Sequence, residues 1–232
     1  MVDILITGAN RGLGLGFVEV GLEKGYRVFA GVRDPNEQKR TQLTKLKEKN
    51  SNQLEILHLD VTDEESVREA ARNVGESLDV IINNAAILNG RGTSIEDLDI
   101  EAIKLAFDVN TLGPARVIKH FLPLLKKGEN QSIINISSEG GSLTNAYSGD
   151  YPYGLSKAAL NMLSEKLHVA LKNEGIQVLS VHPGWVRTDM GGMIAPTHPK
   201  ETAEDIYNLI NRQVRIDSEF VFVDYQGKPM SI

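Results

Sequence analysis

Apolar side chains along this chain fall into two alternating patterns. Short runs rich in aliphatic and β-branched residues recur at 2–6, 26–32, 54–59, 78–82, 132–136 and 176–181, with a last one at 220–223. Several are apolar on consecutive positions, as expected of parallel strands covered on both faces. Between them the apolar spacing is helical. Thr62-Asp63-Glu64-Glu65 reads as a capping box, with Thr62 accepting from a backbone N–H while Glu65 reaches back. Ser94 with Asp97 and Thr202 with Asp205 are weaker helix starts of the same kind. From Tyr153 helical periodicity runs to about Asn173, opened by Pro152. Strand and helix therefore alternate along most of the chain. This predicts an α/β fold, a doubly wound parallel sheet with helices on both faces. No Pro/Gly-rich linker, tandem repeat or low-complexity tract divides it, so residues 1–232 are expected to form one domain.

Two stretches depart from the pattern. Residues 139–152 hold Gly140, Gly141 and Gly149, with Gly154 just beyond, and read as a loop. Residues 190–200, with Gly191, Gly192, Pro196 and Pro199, read as a second, short loop that would shape a substrate pocket. An apolar stripe runs through Ala102, Leu105, Ala106, Val109 and Leu112 and continues in Val117, Phe121 and Leu124. With Leu160, Leu163, Leu167 and Leu171 it is expected to pack the core, an oligomer interface on the outer helix faces being its second use.

Composition narrows the chemistry. The 232 residues include no cysteine, and 25 basic against 31 acidic side chains leave a net charge of −6. Nucleic-acid binding normally needs a basic footprint, which is missing here. Without cysteine there are no disulfides, thiolate nucleophiles, Cys-ligated zinc or iron–sulfur clusters. The chain fits a reducing cytoplasm, and neither a membrane span nor a signal peptide is expected. His58, His120, His168, His182 and His198 form no His-x3-His or His-Glu-x2-His pair, so they read as scattered core and surface histidines and no metal is expected.

Chemistry enters at the first strand–helix junction, Thr7-Gly8-Ala9-Asn10-Arg11-Gly12-Leu13-Gly14. Glycines there let the backbone turn tightly and approach a pyrophosphate, and a helix N-terminus aims N–H groups at the anion. The spacing is Gly-x3-Gly-x-Gly, and no Lys-Ser/Thr follows, against a nucleoside-triphosphatase loop. An NAD binder would place a carboxylate at the end of strand two, on the ribose 2′-hydroxyl. Here Val32 stands in that place and Arg33 beside it, followed by Asp34. Arg33 and Arg11 together suit a 2′-phosphate, which favours NADP(H) and leaves NAD(H) open. Two solvated surface arginines are the plain alternative.

The reaction end begins at Tyr153-Gly154-Leu155-Ser156-Lys157, where Tyr at i and Lys at i+4 share a helix face. Asn135-Ile136-Ser137-Ser138 ends the preceding strand, where a hydroxyl can face a ligand beyond the sheet's carboxyl edge. A phenol near Lys157 and a positive nicotinamide ring would have its pKa pulled down, making it a usable proton donor near neutrality. Gly154-Leu155-Ser156-Lys157-Ala158 imitates a hydrolase nucleophile elbow, but that elbow needs a strand before it, and Ser156 falls inside a helix. Lys45-Leu46-Lys47-Glu48-Lys49 reads as a solvated helix face.

These residues carry a resemblance. Residues 7–14, Asp60-Val61, Asn83-Asn84-Ala85-Ala86, Asn110, Ser138, Tyr153 with Lys157, and Pro183-Gly184 resemble the ordered motif set of the short-chain dehydrogenase/reductases, over nearly the whole chain. Within that family, His182-Pro183-Gly184-Trp185-Val186-Arg187-Thr188-Asp189-Met190-Gly191-Gly192 and Asp224-Tyr225-Gln226-Gly227 look like the C-factor and sniffer-type carbonyl reductases. The resemblance implies a Rossmann-type fold and a set of roles. Tyr153 would be the general acid/base, Lys157 would bind the nicotinamide ribose and lower the Tyr pKa, and Ser138 would hold the substrate oxygen. Asn110 would hold a water that relays protons to Lys157. On the cofactor side it implies Gly8, Asn10, Arg11, Gly12, Leu13 and Gly14 at the phosphates and Asp60 with Val61 at the adenine. Asn83 and Ala85 would lie along the cofactor, beside Pro183 and Gly184, with Val186 and Thr188 at the carboxamide. Two departures stand out: Ala86 replaces the usual glycine, and Ser138 lies farther from Tyr153 than is common, so the loop between must bulge. Tyr147 and Tyr151 are rival phenols without a lysine four residues on, and Ser137 is the rival hydroxyl. Trp185 is expected beside the nicotinamide pocket.

The leading expectation is therefore hydride transfer between NADPH and a small carbonyl or alcohol substrate. The alternative is a C-factor-like signalling or redox-sensing protein that binds the cofactor with little turnover. The full Ser–Tyr–Lys set favours the enzyme. Family habit leaves room for a homodimer or homotetramer.

Overall fold

Residues 1–34 and 42–232, which the computed structural model describes, build seven strands into one sheet. The strands are β1 (Asp3–Thr7), β2 (Arg27–Val32), β3 (Leu54–His58), β4 (Val80–Asn83), β5 (Ser132–Ile136), β6 (Gln177–His182) and β7 (Phe222–Asp224). All pairs are parallel, in the order β3-β2-β1-β4-β5-β6-β7. Each predicted apolar run became a strand, and the sheet explains why the runs are unbroken. In β1, Ile4 and Ile6 enter one core cluster with Phe17, Val28 and Tyr207, whereas Leu5 enters a second with Phe29, Val67 and Phe121. A strand covered on both faces has no side on which a polar residue is free of cost.

Helices α1 (Gly12–Glu23), α2 (Gln42–Lys49) and α7 (Pro199–Ile210) cover the first face. The second is covered by α3 (Glu64–Asn73), α5 (Gly113–Leu125) and α6 (Tyr151–Leu171), with α4 (Ile100–Phe107) packed on α6. After β3 the chain crosses back over β1 to lay β4 at its other side. The carboxyl ends of β1 and β4 therefore diverge, and the crevice between them is where such sheets take ligands.

Three predicted helix starts moved. The cap of α3 is Asp63, which accepts the Glu65 N–H at 2.9 Å, while Thr62 donates its hydroxyl to Asp60 at 2.7 Å. Ser94 does bond Asp97 at 3.0 Å, but no helix follows; α4 is capped by Asp99. Helix α7 opens at Pro199 behind a His198–Glu201 capping box, which leaves Thr202 buried inside the helix. In α7, proline at the first helical position and the reciprocal His198–Glu201 bonds set the start ahead of the Thr202 hydroxyl farther along. The apolar stripe also splits. A π-helical turn, Asp108–Leu112, joins α4 to α5 and inserts a residue, so Ala106, Val117 and Phe121 are buried while Leu105 and Leu112 stay half-exposed.

Candidate active site

The turn between β1 and α1 is shaped for close approach of a ligand. Gly8 has φ +64°, and a methyl there would come within 2.9 Å of Ala85 Cα; one on Gly14 would come within 2.1 Å of the Gly8 carbonyl oxygen. Both glycines let three backbone segments meet where a side chain would keep them apart. Arg11 precedes α1 and offers its first turn no side-chain cap, so the N-terminal N–H groups are left to another acceptor. Asn84 ties the turn to β4, its Nδ2 donating to the carbonyls of Thr7 and Gly8 at 3.0 and 3.1 Å. The donor set and the glycine turn fit a dinucleotide's diphosphate.

From this turn a cleft of about 830 Å³ runs along the carboxyl ends of the strands to α6. At its far end stand Ser138, Tyr153 and Lys157. Tyr153 is the third residue of α6, which starts two residues earlier than its apolar spacing predicts, and Lys157 follows one turn later with its Nζ 5.5 Å from the phenol ring centre. The lysine is 2% exposed, and its ammonium donates to the Ile136 carbonyl at the end of β5 at 2.7 Å. Burial alone lowers its pKa to about 7. Burial also pushes the Tyr153 phenol up, and the Ser138 hydroxyl beside it pulls the other way. The lowered phenol expected from sequence is thus not a property of the chain alone. Ser138 begins a single 3₁₀ turn, Glu139–Gly141, and its Oγ accepts the Gly140 N–H at 3.1 Å. The rival Ser137 is spent elsewhere, bonding Asn161 at 2.6 Å.

Asn110 lies in the π-helical turn, fully buried. Its Nδ2 donates to the Ile87 carbonyl and to Ser156 Oγ, and its Oδ1 accepts the Ile87 N–H, all at 2.9 Å. It braces the segment after β4 against α6 one residue from Lys157. Across the cleft, the chain leaving β6 supplies His182, Pro183, Gly184, Trp185, Val186 and Thr188. Thr188 Oγ1 accepts the Gly191 N–H at 3.0 Å, and Trp185, half-exposed, donates to the Gly191 carbonyl at 2.6 Å. Arg11 spans from the glycine turn to Asp189 at 2.7 Å.

Among the described residues, the structure brings together at this cleft Arg11, Gly12, Leu13, Ala85, Ser138, Tyr153, Lys157, Pro183, Gly184, Val186 and Thr188. Gly8, Asn10 and Gly14 form the turn behind it. Arg33, exposed, and Asp60 stand past the ends of β2 and β3, outside the cleft walls. Val61 is buried against Gly113. Asn83 differs from expectation: it points into the protein and donates to Asn135 at 2.8 Å, and its neighbour Asn84 faces the cleft instead. Leu88, Arg91, Tyr147, Asp150 and His182 also line the cleft. Of these, Tyr147 was marked in the sequence as a rival phenol, and His182 by its place before Pro183-Gly184.

The family model described as short chain dehydrogenase matches residues 3–198. An uncharacterized oxidoreductase of Schizosaccharomyces pombe is 37% identical over 246 residues, covering 96% of this chain and 94% of that protein. The carbonyl reductase Sniffer of D. melanogaster superposes with a TM-score of 0.90 at 33% identity, over all of both chains. An NADPH-bound carbonyl reductase from chicken fatty liver does so with a TM-score of 0.88 at 34% identity, over 99% of this chain and 98% of that one.

Between pH 7 and 10.5 the unfolded chain holds the lysine proton that folded Lys157 gives up, so stability rises with pH across that window. Lys157→Met is expected to raise the unfolding free energy of the ligand-free protein by about 2–4 kcal/mol at pH 7. The gain should fade toward pH 10.5, as read by urea denaturation at each pH.

Proposed function

The chain belongs to the short-chain dehydrogenases, and on that footing we propose that it is an NADPH-dependent carbonyl reductase with Tyr153 as its general acid. The observation that carries the reading is the convergence of Tyr153, Ser138 and Lys157 at one end of a cleft whose other end is an uncapped helix N-terminus behind a glycine turn. A reduced nicotinamide, when bound there, supplies a hydride to the carbonyl carbon. Ser138 holds the carbonyl oxygen: its Oγ already accepts the Gly140 N–H, which leaves its proton to point at substrate. Tyr153 gives its phenolic proton to that oxygen as it gains charge. Lys157, titrating near 7, returns a proton to the phenolate, and its ammonium favours that anion while it forms. Asn110 keeps α6 in place through Ser156; its side-chain amide is fully engaged there and with Ile87, so any water relay to Lys157 would have to use its backbone carbonyl. The same chemistry in reverse oxidises an alcohol.

NADPH is favoured over NADH by Val32 in the place of a ribose-binding acid and by two arginines. The Arg11–Asp189 pair is about three-quarters exposed on both sides, and such pairs contribute about 0–1 kcal/mol. Arg11 can therefore leave Asp189 for a 2′-phosphate at little cost, with Arg33 as the second cation. The chicken liver relative, a carbonyl reductase bound to NADPH, supports the same choice. Leu88, Tyr147, Trp185 and Met190 give the substrate end an open, largely apolar mouth that suits small carbonyl compounds. Leu105, Leu112, Leu155 and Met162 stay exposed on α4–α6 and are the surface that a homodimer or homotetramer would use.

Tyr153→Phe is expected to lower NADPH-dependent carbonyl reduction about 10²–10⁴-fold, with NADPH binding kept. Retained turnover, followed by nicotinamide absorbance, would overturn the assignment. Arg33→Ala should weaken NADPH about 10–100-fold and leave NADH nearly unchanged. Equal losses for the two cofactors in a fluorescence titration contradict the phosphate clamp.

A further inference from the structure

His182, the last residue of β6, is partly buried in the cleft wall between the turn that carries Ser138 and β7. Its Nδ1 accepts the Glu139 N–H at 3.2 Å. That peptide is the hinge of the Ser138 turn. Ser138 is extended, with φ −162° and ψ 151°, and the chain then folds at once into a single 3₁₀ turn. Three further bonds close the turn on itself: Gly141 N–H to the Ser138 carbonyl at 3.0 Å, Ser142 N–H to the Glu139 carbonyl at 2.9 Å and Gly140 N–H to Ser138 Oγ at 3.1 Å. All three are internal and would travel with the turn if it rotated. The bond to His182 anchors the Glu139 peptide to the sheet, while the Gly141 carbonyl at the far end of the turn accepts from Asn161 Nδ2 on α6 at 3.4 Å. The Glu139 side chain leans the other way, accepting from Asn145 at 3.2 Å.

We propose that His182 is a positioning residue for the Ser138 hydroxyl, its neutral imidazole fixing the Ser138–Glu139 peptide through Nδ1. The role rests on the carbonyl-reduction reading, in which Ser138 must meet the substrate oxygen within hydrogen-bond reach. An imidazole can accept at Nδ1 only when that nitrogen carries no proton, so the ring proton sits on Nε2. Burial favours this neutral form, against the pull of Glu139 and of Asp224, its cross-strand partner on β7. A protonated ring would set N–H against N–H and release the turn.

Asparagine keeps an acceptor at the same number of bonds from the backbone as His Nδ1, whereas leucine has none. In His182→Leu, kcat for carbonyl reduction is expected to fall about tenfold while the NADPH dissociation constant stays within about twofold, as for loss of one orienting hydrogen bond. Hydrogen exchange at residues 138–142 should speed up by a similar factor and stay unchanged in β1 and α1. His182→Asn should recover kcat and slow exchange to within about threefold of the parent. Equal losses in the asparagine and leucine variants, or unchanged exchange in His182→Leu, overturn the proposal. If the leucine variant does not fold, His182→Gln takes its place, since its carbonyl lies one bond farther out and should behave as leucine. A parent protein that reduces no carbonyl overturns the carbonyl-reduction reading, while the exchange comparison still reads the His182 anchor.

Discussion

The ammonium of Lys157 is the constraint around which the site is arranged. It lies out of water, held by the carbonyl of Ile136, and a cation so placed costs several kcal/mol unless geometry repays it. The surroundings serve to keep it there. Gly141 packs so closely on α6 that a methyl would come within 2.7 Å of the Lys157 carbonyl carbon. Thr111 donates to the Ser156 carbonyl at 2.8 Å, and Asn110 reaches Ser156 Oγ from the same π-helical turn. An irregular turn in the α4–α5 segment and a glycine in the Ser138 turn thus both hold one helix end at the sheet. The result is a lysine near its point of half-protonation one helical turn from a phenol, an arrangement that favours proton transfer over stability.

The fold was largely legible. Unbroken apolar runs demanded a sheet covered on both faces, and the glycine turn after the first of them located the crevice where β1 and β4 part. Tyr153 and Lys157 were legible too, because a four-residue spacing on a helix is a statement about geometry. What stayed hidden depended on parity and competition. Asn83 and Asn84 are adjacent, and which one faces the cleft depends on where β4 stops. In the structure β4 runs through Asn83, which pairs in register with Asn135, so the next residue faces the ligand side. The cap of α3 turned on Asp63 outcompeting Thr62, two good capping residues side by side. His182 stood out only by its place before Pro183-Gly184, and its anchoring role stayed hidden, since that role lies in an N–H that only the folded turn of Ser138 brings to it.

Charge works locally in this protein. A net charge of −6 does not prevent an anion site, because the glycine turn offers backbone N–H groups and Arg11 a movable cation. The Arg11–Asp189 pair also links the phosphate end to the segment carrying Trp185 and Thr188, so the two ends of the cleft share one exposed contact.

Whether bound cofactor lowers the Tyr153 phenol is read by its titration in protein labelled with ¹³C-tyrosine, with and without saturating NADP⁺. In the chain alone, burial should hold the phenol above its ordinary value. With the oxidised cofactor bound, the phenol should titrate well below that value, and the effect should be lost in Lys157→Met. A Tyr153 resonance that titrates with cofactor bound where it does without it would rule out a phenol tuned by Lys157 and the nicotinamide.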